Sequence, residues 1–202
     1  MKRILLSLVI LVSFLGHCLA DSPLTSTEWW KYYEKKAVIQ EATEYGCTKN
    51  VMKVVCGQEY PIDLRLAVVN ALSWNFEGQH NFSLCVDYYQ QAYQLSDEEI
   101  DSHIDAETYC VFAYLLALDN YFEVSDALQL ALHAYEMKPQ SRAISIITGL
   151  IAAQMAMDDN WCNVYTNVAP FAYDNTLIPD MSDYAVGQIM EYINLYAEYC
   201  DD

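Results

Sequence analysis

The chain has 202 residues, 54% of them apolar, with 10 Lys and Arg against 28 Asp and Glu and a formal net charge of −18. Such a length and apolar content suffice for one domain with a real core, and the charge repels nucleic acid and anionic lipid, which excludes polyanion binding as a main role. From residue 54 onward 23 acids stand against only Arg65, Lys138 and Arg142, so this surface either keeps an exported protein soluble or steers a basic partner inward.

In chain order the first element is a leader. MKRILLSLVILVSFLGHCLA carries Lys2 and Arg3, an apolar run from Ile4 to Leu15 and a small residue at Ala20, the three parts of a secretory signal with cleavage expected after Ala20. The run is well short of the roughly 20 residues a membrane-spanning helix needs, and no later stretch is long and charge-free enough to span. A secreted or periplasmic chain beginning at Asp21 is expected.

Beyond the leader, apolar residues recur at three and four, which predicts an all-α chain. An opening helix is expected over residues 27–45, with Thr25 and Glu28 spaced as a capping box, then a short helix near 50–55. Three helical hairpins follow: 62–76 with 82–95, 106–118 with 124–137, and 143–157 with 160–173. An acidic connector from Ser96 to Asp105 separates the first two, and Pro139 must end the second. The last helix, 183–199, has Ala185, Ile189, Ile193, Tyr196 and Cys200 as its inner stripe. The organisation is a leader (1–20), an N-terminal helical segment (21–60), three hairpins (61–180) and a C-terminal capping helix (181–202).

Removal of the leader leaves Cys47, Cys56, Cys85, Cys110, Cys162 and Cys200, an even number in a chain bound for an oxidising compartment, which predicts disulfide staples. Six cysteines allow 15 pairings. A short loop favours Cys47 with Cys56, and Cys162 with Cys200 would pin the last helix to the third hairpin. Cys85 with Cys110 is left by elimination, although antiparallel neighbours would hold those two apart. No spacing is C-x-x-C and no histidine stands at a zinc-ligand distance, so neither a metal nor a redox role is expected.

The two segments 108–141 and 142–175 are consecutive 34-residue helical hairpins, and a fixed period of that length marks a helical repeat. In the first of them Tyr114-Leu115, Leu118, Ala127, Ala131, Ala134 and Pro139 stand where a tetratricopeptide repeat keeps its large and small apolar pair, its helix-packing alanines and its closing proline. The chain resembles that family. The next repeat is degenerate: Gly149 keeps the small slot, but Trp161 stands where alanine is expected and Tyr173 where proline is. The preceding one is weaker still, with Leu72-Ser73, Phe76, Cys85, Tyr89, Ala92 and Asp97. What the resemblance implies is a short stack of antiparallel hairpins between N- and C-terminal capping helices. The first helix of each hairpin would line a concave groove, presenting Asn70, Trp74 and Glu77, then Tyr109, Phe112, Leu116, Asp119 and Asn120, then Ile146, Leu150 and Gln154.

Aromatics beside carboxylates and amides suit a peptide or protein loop. No nucleophile elbow, zinc-protease motif, phosphate loop or dinucleotide fingerprint occurs. The mature histidines His80, His103 and His133 are far apart, and only Asp101-Ser102-His103-Ile104-Asp105 sets one among carboxylates, as an acidic connector also would. The expected function is therefore a non-enzymatic, cofactor-free exported protein that holds another protein or peptide in its groove. The alternative is an inhibitor or immunity-type protein that covers a basic enzyme or toxin.

Overall fold

The computed structural model describes residues 22–200, so the leader expected over residues 1–20 lies outside the described residues. Among these the chain is helical, with one isolated parallel bridge between Ser141 and Ile178. A 3-10 helix, Trp29–Tyr33, precedes α1 (Ala37–Tyr45), α2 (Lys49–Cys56), α3 (Ile62–Leu72), α4 (Asn81–Tyr93), α5 (Ile100–His103), α6 (Ala106–Asp119), α7 (Ser125–Met137), α8 (Arg142–Ala156), α9 (Trp161–Thr166), α10 (Ala169–Ala172) and α11 (Asp183–Ile193). A second 3-10 helix, Asn194–Cys200, closes the described chain.

Local chemistry sets many of these boundaries. Thr48, Asp105, Ser141, Asn160 and Ser182 each accept a backbone N–H in the first turn of α2, α6, α8, α9 and α11, satisfying a donor that has no partner within the helix. α7 stops at Met137, two residues before Pro139, because proline's ring disfavours a helical residue before it. The second hairpin thus spans α6 and α7 within a residue of expectation. α6 lies at the centre, packed on α3, α4, α7 and α8, and nearly all its residues are buried. Ala127, Ala131 and Ala134 are buried along α7, where small side chains let neighbouring helices approach. At Gly149 of α8, an added Cβ would stand 2.3 Å from the Asn167 carbonyl oxygen, so the α9–α10 junction comes as near to α8 as glycine permits.

Several expectations need correction, among them the last helix, which is α-helical only to Ile193 and continues as the 3-10 turn Asn194–Cys200. The opening helix is two pieces: Lys36 is extended, and the Trp29–Tyr33 turn packs on α3 and α11 while α1 packs on α2 and α3. The Thr25–Glu28 capping box does not form. Thr25 Oγ1 lies 3.4 Å from the Tyr121 hydroxyl, and Glu28 pairs with Lys31. The first hairpin is not a closed pair either. α2 packs against both α3 and α4, which are joined by the irregular residues 73–80 and pack instead on α6. The second helix of the third hairpin breaks into α9 and α10, with Pro170 in the first turn of α10.

One continuous core runs from Leu24 to Tyr196 and joins the N-terminal segment, the hairpins and the C-terminal helix. Arg65 is wholly buried within the fold. Its Nε donates to the Val55 carbonyl at 2.9 Å and its Nη2 to Thr108 Oγ1 at 2.9 Å, which places the cation at the carbonyl end of α2, where the helix dipole favours it. The staple at Cys162–Cys200 is present. Cys47, Cys56, Cys85 and Cys110 stand unbridged in this structure, so neither the Cys47–Cys56 pairing read from loop length nor the Cys85–Cys110 pairing left by elimination is found.

Candidate functional site

The face expected to be an open groove carries the protein's own N-terminal segment. Ser22 and Leu24 are each 1% exposed. From Ser22 to Trp30 the chain crosses α8, α6 and α3 in turn. The Ser22 hydroxyl donates to Gln154 Oε1. The Tyr114 hydroxyl donates to the Leu24 carbonyl at 3.2 Å. Asn70 Nδ2 donates to the Thr27 carbonyl at 3.2 Å and to the Tyr114 hydroxyl at 3.0 Å, while its Oδ1 accepts the Trp30 N–H at 3.1 Å. Burial pushes Tyr114 up to about 12, which keeps this phenol a neutral donor. Asn70 and Gln154 were expected to meet a partner; they hold the chain's own segment instead.

The other candidate groove residues scatter. Tyr109 and Phe112 are buried, the first edge-on to His133 of α7 and the second packed on Phe82 and Tyr89 of α4. Ile146 and Leu150 are core, and Leu116 is packed against that core. Asp119 faces the start of α4, where its Oδ2 accepts the Phe82 N–H at 2.7 Å. It thereby caps a helix 37 residues away in sequence. Burial pushes its carboxyl up, an effect that the bonds from Phe82 and Asn81 and the neighbouring His80 offset in part. Glu77 and Asn120 are exposed in turns. His103 is not set among working carboxylates: its Nδ1 lies 2.9 Å from the Tyr89 hydroxyl.

Trp74 leads to a surface of a different kind. Its ring stacks on Tyr121 at 4.2 Å and 16°, and Phe122 stands edge-on to Trp74, Phe76 and Tyr121. Phe76 is 78% exposed and Phe122 70%. Tyr121 and Phe122 continue into a cleft of about 430 Å³, lined also by Glu123, Val124, Gln154, Met155, Met157, Asp158 and Trp161. Trp161 donates its Nε1–H to the Met157 carbonyl at 3.0 Å and meets Tyr199 edge-on at 4.9 Å. Cys162 and Cys200 follow these two rings directly in sequence, so the disulfide fixes their pairing. The turns α3–α4, α6–α7 and α8–α9 therefore bring Trp74, Tyr121, Phe122 and Trp161 to one edge. Large exposed apolar patches of this sort mark binding surfaces. The charged side chains lining the cleft are Glu123 and Asp158.

Of the expected groove residues, the edge includes Trp74 and Gln154 alone. Tyr121, Phe122, Met155, Met157 and Trp161 were missed as site residues. Two signals for them were present: Tyr121 and Phe122 fall in a turn, where helical periodicity assigns no core role, and Trp161 breaks the small-residue pattern of its repeat. No family model, curated protein or solved structure matches the chain.

Proposed function

We propose that the protein is an exported, non-enzymatic helical scaffold of tetratricopeptide-like hairpins that binds another protein through its aromatic edge. The carrying observation is the cleft between Phe122 and Trp161, whose lining joins aromatic and methionine side chains to the carboxylates of Glu123 and Asp158. Rigid aromatics supply contact area at low entropic cost, and the two carboxylates select a partner segment with an apolar or aromatic side chain next to Arg or Lys. Export is supported by the leader-like opening and by the Cys162–Cys200 disulfide, a bond that persists in oxidising compartments. The repeat reading is supported by the buried alanines of α7, the stop before Pro139 and the tight approach at Gly149.

The test is selection from a displayed random peptide library, followed by titration of the enriched peptides against the protein and its Phe122→Ala and Trp161→Ala variants. Enrichment of peptides pairing an aromatic with Arg or Lys is expected, with affinity lost roughly tenfold or more in either variant, as for a central interface aromatic. Enrichment of acidic peptides, or binding indifferent to both variants, would remove the edge as the binding site.

A further inference from the structure

Cys47, between α1 and α2, holds its sulfur 3.8 Å from that of Cys85 on α4. Cys85 is buried, whereas Cys47 is partly open to solvent. A third thiol, Cys56 at the end of α2, donates to the Cys85 carbonyl at 3.3 Å. Two sulfurs bond at about 2.05 Å, so these lie within about 2 Å of bonding distance, and Cys47 stands in the short link after Gly46, outside either neighbouring helix. Cys56 is buried within α2 and offers no comparable access to an oxidant.

We infer that Cys47 and Cys85 form a second disulfide, made by thiol–disulfide exchange and tying the α1–α2 link to α4. The Cys47 thiolate attacks an external disulfide such as oxidised glutathione; one sulfur–sulfur bond forms and one breaks, releasing a thiolate. The Cys85 thiolate then attacks the Cys47 sulfur of that mixed disulfide and displaces the second thiolate. Overall the two cysteines lose two protons and two electrons, and the oxidant leaves as two thiols. The order of attack follows from the site. A hydrogen bond from Cys85 holds Cys47 below the ordinary thiol range, and the same contact, with burial and Cys56, pushes Cys85 up, so the accessible cysteine is also the better first nucleophile. The inference is independent of the partner proposed above. It replaces both the Cys47–Cys56 pairing that a short loop favoured and the Cys85–Cys110 pairing left by elimination, and it leaves Cys56 and Cys110 as buried thiols.

The test uses the purified full chain equilibrated in oxidised and reduced glutathione, with free thiols alkylated before digestion. Trypsin separates Cys47 from Cys56 at Lys49 and Lys53, and a second cut at acidic residues separates Cys85 from Cys110. The expected product is the Cys47 peptide joined to the Cys85 peptide, with Cys56 and Cys110 alkylated only after unfolding. In a Cys47→Ser variant, Cys85 should be recovered as a thiol. Alkylation of Cys47 in the oxidised native protein, or Cys85 joined to Cys56 or Cys110 in either protein, would overturn the assignment.

Discussion

The Tyr114 hydroxyl donates to the Leu24 carbonyl at 3.2 Å across 90 residues of sequence, and with that bond the N-terminal segment becomes part of the scaffold. Asn70 supports the arrangement from α3 by donating to the same hydroxyl and to Thr27, and by accepting from Trp30. A buried polar group left without its partner costs about 1–3 kcal/mol. Asn70→Ala deprives the Trp30 N–H and the Thr27 carbonyl of their partner. It is expected to lower stability by about 2 kcal/mol and to speed hydrogen exchange in residues 24–33 more than in α6. Tryptic cleavage after Lys31 should accelerate in parallel. Uniform loss of protection through the whole chain would mean that the segment does not open by itself.

Two glycines in helices should respond oppositely to alanine. At Gly149 the new Cβ would lie 2.3 Å from the Asn167 carbonyl oxygen, a backbone atom that cannot rotate away, whereas at Gly187 it meets nothing within 4 Å. Gly149→Ala must push the α9–α10 junction off α8, at a cost of about 1–3 kcal/mol. Gly187→Ala lies in the interior of α11 on its exposed side and should stabilise by about 0.5–1 kcal/mol through reduced backbone freedom in the unfolded chain. Thermal midpoints of the two variants against the parent decide it; a shift of the same sign in both would contradict the packing described for α8.

These contrasts show what could be read from the sequence and what could not. α6 and α7 were legible because Asp105, Ala127, Ala131, Ala134 and Pro139 act locally: each sets a cap, a packing distance or a stop within its own hairpin. The break at Lys36 was not, because it results from Trp29 and Tyr33 docking on α3 and α11, elements far along the chain. The first hairpin failed for a similar reason, since α2 takes the place beside α3 that adjacency had reserved for α4. At the site, spacing offered Asn70 and Gln154 as partner-facing residues, but no local pattern encodes that residues 22–30 would bond to both. Phe122 escaped because it lies in a turn, where helical periodicity assigns no role. Phe76 and Trp161 escaped because their place in the repeat pattern makes them packing positions, whereas the first lies in a turn and the second is half-exposed at a helix start.

The staple at Cys162–Cys200 should matter both to stability and to the edge. It closes a loop across a sequence separation of 38 residues, for which loop entropy alone gives about 4 kcal/mol. Cys200→Ser is expected to lower stability by about 2–4 kcal/mol and to release the Asn194–Cys200 turn, parting Tyr199 from Trp161. Tryptophan emission should then shift to the red, and peptide binding at the cleft should weaken although no side chain lining it has changed. Unaltered emission and affinity in the variant would show that Trp161 is held in place without the disulfide.

Asp119 supplies a prediction on pH. Its carboxyl is raised above its ordinary range, first by burial, and one of its oxygens, Oδ1, is buried without a hydrogen-bond partner. The folded state therefore binds this proton more tightly than the unfolded chain does. By linkage, Asp119 makes stability fall as pH rises from the ordinary carboxylate range through the raised folded value, and the penalty is fully present above it. Carboxylates with lowered values, such as Glu41, Glu99 and Asp174, act in the opposite sense and lose their contribution on acidification, so the effect of Asp119 has to be isolated by difference. Asp119→Asn keeps an oxygen to accept the Phe82 N–H and removes the buried charge. The variant should be more stable than the parent at neutral pH, with the advantage shrinking as pH falls below the raised value. Paired denaturant titrations of parent and variant from acid to neutral pH measure it. A difference that grows on acidification would mean that the charge at the start of α4 stabilises the fold, and that the helix terminus outweighs the cost of burial.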